Sequence, residues 1–235
     1  MTDGAERPRR RVPTWLLAGC GVLLGAALGL LLSTVIGDDD EPDVLELTPV
    51  ESPYPADQAA NADAFLQAWE RYRNATFRAE LTFVRETPDG RRLELERLVV
   101  QQPPRRAVRQ LDDITAVEDG ETLVCSPRDG DRVCFTQEGS DYAAAVESEL
   151  AAWRSATSGE APFYAVHALD GGCFELRLAR ELPEPPYGEI TRVCFDEATG
   201  ALRNRQVIRT TGTDTEEATT ISGTVTDEDW QAVGA

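Results

Sequence analysis

The chain has 235 residues, with 23 basic side chains against 42 acidic ones and a single histidine, a formal charge of −19. Every basic residue is an arginine. So acidic a chain is a poor partner for nucleic acid or an anionic lipid surface, and one histidine leaves little scope for imidazole catalysis or a histidine-built metal site.

The first thirteen residues form a short tail containing Arg7, Arg9, Arg10 and Arg11. An uncharged run succeeds it, Thr14–Ile36, and is closed by Asp38, Asp39, Asp40 and Glu41. Twenty-three residues at about 1.5 Å each reach about 34 Å, enough to cross a bilayer core. Arginines on one flank and acids on the other predict a single-pass anchor with a cytoplasmic N-terminus, and place the residues after Gly37 outside the cytoplasm. A cleaved signal peptide would have a shorter apolar core and a small-residue cleavage site, which Ser33–Gly37 does not offer. Leu17-Ala18-Gly19-Cys20 looks like a lipobox, although most of the apolar stretch lies after Cys20 rather than before it. Gly21, Gly25 and Gly29 fall on one helix face, so the anchor either pairs with a second copy through that face or is simply rich in small residues.

Residues 37–60 read as a disordered acidic linker with Pro42, Pro49, Pro53 and Pro55. Past Thr14 the chain holds nineteen arginines and forty acids, a formal −21, so the excess acid lies outside. Ala62, Phe65, Leu66, Trp69 and Tyr72 recur at helical spacing and predict a helix over about 59–73. The period then changes to two, with Phe77, Ala79, Leu81 and Phe83 on one face of a strand. Pro88-Asp89-Gly90 turns the chain into a second long strand, 93–101. Shorter strands come next, near 107–111, 114–118, 122–126 and 132–136. Ser140 suits the N-cap of a second helix, 141–156, whose stripe is Tyr142, Val146, Leu150 and Trp153. Five more strands are expected at 163–169, 173–180, 189–196, 201–210 and 217–226, then a short turn at 227–230. Helix, six strands, helix, five strands with hairpin turns throughout predicts an α+β domain. Its core is a large, curved antiparallel sheet with helices against one face.

Cys125, Cys134, Cys173 and Cys194 lie in the outer part, where an oxidising compartment favours two disulfides. Asp129-Gly130 is a two-residue hairpin signal. Counting outward from it sets Pro127 opposite Arg132 and Cys125 opposite Cys134, both on non-hydrogen-bonded pairs. Such a pair brings two Cα atoms to about 4.5 Å, close enough to bridge, and a proline there breaks no ladder bond. Cys173–Cys194 is then assigned by elimination, with a bulge expected in its register.

Several stretches match a known family in order and in turns. An amphipathic helix runs into Ala75-Thr76-Phe77-Arg78-Ala79-Glu80-Leu81 and a long hairpin. Pro103-Pro104-Arg105-Arg106-Ala107-Val108-Arg109 opens a third strand, Glu118-Asp119-Gly120-Glu121 makes an Asp-Gly turn, and Phe195-Asp196 precedes Thr199-Gly200-Ala201-Leu202 in a late hairpin. With these features the chain resembles the LolA-like lipoprotein-carrier superfamily, including the lipid-binding lipoproteins of mycobacterial envelopes, over about 61–230. The resemblance implies a half-barrel with helices on its concave face and a hollow for acyl chains between them. It also implies an arginine early in the third strand that holds the lid helices, for which Arg109 is the candidate. Candidate residues for lining the hollow are Trp69, Phe77, Leu81, Phe83, Val146, Leu150 and Trp153, each on an apolar face that must point inward.

No serine nucleophile elbow, HExxH, glycine-rich phosphate loop or calcium loop occurs in the sequence. No catalytic residue, metal or cofactor is therefore expected. Two readings of function stand. One is an envelope-anchored domain that binds a lipid or other hydrophobic ligand; the other is an envelope interaction or sensory domain with a filled core and no ligand.

Overall fold

A computed structural model describes residues 52–118, 120–139 and 141–234 of the chain. The tail 1–13, the anchor 14–36 with Cys20, Gly21, Gly25 and Gly29, and the linker as far as residue 51 lie outside the described residues. Among the described residues no helix is long and apolar enough to cross a membrane.

The elements, in order, are α1 (Gln58–Asn74), β1 (Phe77–Glu86), β2 (Arg92–Gln102), β3 (Arg105–Gln110), β4 (Asp113–Glu118), β5 (Glu121–Arg128) and β6 (Asp131–Glu138). They continue with α2 (Tyr142–Thr157), β7 (Tyr164–Leu169), β8 (Cys173–Leu178), β9 (Ile190–Phe195), β10 (Leu202–Arg209), β11 (Gly212–Ser222) and α3 (Asp227–Val233). All eleven strands form one antiparallel sheet in the order β6-β5-β4-β3-β2-β1-β11-β10-β9-β8-β7. Each half is a run of strands paired to the next in sequence, and β1 joins the halves by pairing with β11. The sheet is open, with β6 and β7 at its edges.

α1 buries the stripe expected from its spacing, Ala62, Phe65, Leu66, Trp69 and Tyr72. It is also fastened by polar side chains. The Gln58 amide donates to the carbonyls of Thr157 and Tyr164 and accepts from the Val166 N–H, and buried Asn61 donates to the Val166 carbonyl at 3.0 Å. These bonds start the helix at Gln58, inside the stretch expected to be linker; just before it, the Tyr54 hydroxyl donates to the Pro162 carbonyl. α2 is capped by Asp141, whose carboxylate accepts from the Ala143 N–H.

The helices do not all share one face, which corrects the expectation of helices on the concave side alone. α1 packs with Trp153 and Ala156 of α2 over Phe77, Ala79, Leu81 and Val99. α3 lays Trp230 and Val233 on Leu98, Val100, Ala107 and Ala116. Leu98 and Val100 alternate with Val99, so the two clusters lie on opposite faces of the sheet. The continuous apolar run Leu98-Val99-Val100 is the mark of a strand covered on both sides. α3 is more than a turn because Thr226 and Asp229 form a reciprocal capping box at its start.

The β5–β6 register sets Cys125 opposite Cys134 and Pro127 opposite Arg132, and the Cys125–Cys134 disulfide forms with Cα atoms 4.0 Å apart. Asp129 and Gly130 both have positive φ, as a two-residue hairpin turn requires. Cys173–Cys194 is also bonded, between directly opposite residues of β8 and β9. That pairing is regular; the bulge expected there lies instead between β9 and β10, at Leu202/Asn204.

Candidate functional site

Between the end of α1 and the sheet is a cavity of about 350 Å³. Its floor is the α1-facing side of three neighbouring strands: Phe77, Ala79 and Leu81 from β1, Val99 from β2 and Val108 from β3. Trp69 and Tyr72 of α1 and Leu202 of β10 close it from other sides. Beside this apolar wall stand four arginines, Arg73, Arg97, Arg106 and Arg205, with Glu149 and Glu216.

The carboxylates are largely spoken for. Glu216, with a side chain only 8% exposed, is paired to Arg97 through one oxygen and to Arg205 through the other, the latter at 2.8 Å. Arg97 also donates to the Gln110 side chain and lays its guanidinium over the Phe83 ring, 4.4 Å from the centroid. Arg73 Nε lies 3.1 Å from a Glu149 oxygen. Arg106 forms no ion pair among the described residues. Burial is the chief cause pulling the pKa values of Arg97 and Arg205 down, and Arg106 lowers both further by like-charge repulsion.

Of the residues named from sequence, Trp69, Phe77 and Leu81 meet at this cavity. Trp153 lines a neighbouring hollow of about 120 Å³ that shares Trp69 and Arg205 with it. There Trp153 stacks on Tyr187 with ring centroids 3.6 Å apart. Leu150 is half-buried against the α1 cluster and Val146 is buried, but neither lines the cavity. Phe83 lies beneath Arg97. Arg109 lies on the opposite face of the sheet, where it donates to the Ala232 carbonyl of α3.

The charged wall was not expected from the sequence. A signal for it was present: Arg97 is in phase with Val99, and Arg106 with Val108, so each arginine occupies a core-facing position of its strand.

Solved proteins similar in fold include a chain of the Pseudomonas aeruginosa MucA/MucB complex, at 14% identity and a TM-score of 0.43 over 75% of this chain. The match spans 61% of that longer chain. A LolA superfamily protein from Nitrosomonas europaea is similar at 7% identity and a TM-score of 0.32, over 71% of this chain and 95% of its own. LprF from Mycobacterium bovis is similar at 11% identity and a TM-score of 0.34, over 72% of this chain and 95% of its own. Each is a likeness of fold alone. No family model and no curated protein matches the sequence.

Proposed function

We propose that this chain is a single-pass protein of the bacterial cell envelope whose outer domain binds a hydrophobic ligand, such as a lipid or the acyl chains of a lipoprotein, and acts by binding rather than by catalysis. The observation that carries the reading is the cavity itself. Its volume of about 350 Å³ falls within the ~300–1,000 Å³ usual for small-molecule sites. Phe77, Ala79, Leu81 and Val99, all buried, make its floor. An apolar ligand laid on that floor would be removed from water on the sheet side and under α1. The uncharged segment between four arginines and an acidic run supports an anchor with this domain outside.

A fluorescent fatty acid titrated into the full chain in a non-ionic micelle tests the proposal. Saturable binding is expected, and Leu81→Trp, which thrusts an indole into the cavity, should weaken it at least tenfold while the far-ultraviolet circular dichroism is unchanged. Absence of saturable binding across fatty acids, phospholipids and acylated peptides would leave the interaction-domain reading. One observation favours that second reading: Trp153 and Phe174 pack against Phe65 at centroid distances of 5.0 and 5.6 Å, so the space under the N-terminal half of α1 is filled.

A further inference from the structure

Three side-chain N–H groups on the cavity lining are buried without a hydrogen-bond acceptor among the described residues: Trp69 Nε1, Arg73 Nε and Arg106 Nε. Arg73 Nε, though near Glu149, is out of line for a hydrogen bond. Native proteins rarely leave buried polar groups unmatched. Here all three unmatched groups are donors. The other buried atoms without a partner among the described residues, the Gln101 and Asp214 side-chain oxygens and the Ser158 hydroxyl, belong to residues that do not line this cavity.

Charge points the same way. Four arginines line the cavity against two glutamates, and Arg106 has neither an ion-pair partner nor an acceptor for its Nε among the described residues. This local positive excess stands in a chain whose part beyond Thr14 carries a formal −21. Solubility alone would not place a surplus of cations at a half-enclosed apolar hollow, where unpaired charge is costly. A guanidinium stays protonated even when burial lowers its pKa, and its donors match carboxylate and phosphate oxygens in geometry.

We infer that the cavity takes an amphiphile with one acidic head, a carboxylate or a phosphate monoester, whose oxygens accept from Arg106 while its chain lies along Phe77, Leu81 and Val99. This rests on the hydrophobic-ligand reading and adds the class of head group. The arginines and the apolar floor line one cavity, so a single molecule can present its head to the one and its chain to the other.

The test is native mass spectrometry of the full chain released from a non-ionic micelle, with dodecanoate and methyl dodecanoate competing at equal concentration. Wild type should hold dodecanoate over its ester by about tenfold or more. Arg106→Gln should bring the two to parity, with an unchanged far-ultraviolet circular dichroism spectrum and thermal midpoint reporting that the fold is intact. Arg106→Lys, which keeps the charge, should retain a preference for the acid. Parity in wild type overturns the acidic head but leaves a hydrophobic site standing. Binding of neither probe removes both readings. A preference that survives in Arg106→Gln overturns the assignment to Arg106. Inorganic phosphate or acetate that displaces dodecanoate at matching concentration would make the ligand a free small anion and overturn the amphiphile.

Discussion

Gln101 of β2 is fully buried, and its amide nitrogen lies within hydrogen-bond distance of three carbonyls at the end of α1: Tyr72 at 2.7 Å, Arg73 at 3.2 Å and Ala75 at 2.9 Å. The last carbonyls of a helix have no partner within the helix, so one side chain from the sheet closes α1 where the cavity begins. Gln101→Leu keeps the bulk but strands those acceptors, and is expected to cost about 1–3 kcal/mol in urea unfolding. Glu175 of β8 gives a pH-dependent counterpart. Burial works to raise its pKa, but hydrogen bonds from Arg192 and Arg177 outweigh that and hold it below the ordinary 4.5. A carboxylate depressed in the folded state adds stability above its unfolded pKa and loses it as pH falls through the folded value. Wild type should therefore exceed Glu175→Gln in stability at pH 6, and the gap should close below about pH 4. A gap constant down to pH 3 would contradict the pairing.

At the scale of elements, the chain was most legible where apolar residues kept a strict period. α1, β1 and the β5–β6 hairpin read correctly because a 3.6-residue stripe, a two-residue alternation and an Asp-Gly turn each force one local geometry. The limit was β11. It was expected from Glu217, but it begins at Gly212 and runs through Thr213–Thr220, a stretch whose only apolar residue is Ala218. Its place between β1 and β10 is set by pairing on both sides and by the ion pairs of Glu216, none of which leaves an apolar period. The β10–β11 turn depends on Gly212 at φ 138°, where a Cβ would run into the Glu86 backbone carbonyl. Gly212→Ala should cost about 1–3 kcal/mol by thermal or urea unfolding. The disulfides act at this scale too. Replacing Cys173 and Cys194 by alanine frees a 21-residue span and should cost about 2–5 kcal/mol, and non-reducing peptide mapping of wild type should find Cys173 linked only to Cys194 and Cys125 only to Cys134.

In the whole molecule, one sheet separates two apolar clusters among the described residues, one beside the cavity and one filled. The cluster under α1 and α2 contains the cavity, and the apolar half of that site was legible because Trp69, Phe77 and Leu81 each lie on a patterned face. The charged half was not, since four arginines from α1, β2, β3 and β10 converge only when the two halves of the sheet meet at β1 and β11. The cluster under α3 is a packed core. Trp230 is 6% exposed, Val233 is fully buried, and Arg105 lays its guanidinium 4.1 Å above the indole. β2 takes part in both clusters, with Leu98 and Val100 facing α3 and Val99 facing the cavity, while Arg78 of β1, the strand of Phe77 and Leu81, is ion-paired to Asp229 of α3. Trp230→Ala should therefore cost about 3–5 kcal/mol, as large aromatic truncations in cores do, yet leave fatty-acid affinity within about twofold under conditions where the variant is folded. Trp69→Ala, on the cavity side, should lower stability and affinity together. Both are read by paired urea unfolding and fatty-acid titration of each variant. An affinity that falls in Trp230→Ala as far as in Trp69→Ala would mean that the sheet transmits strain between its faces, and that the site reaches beyond the side under α1.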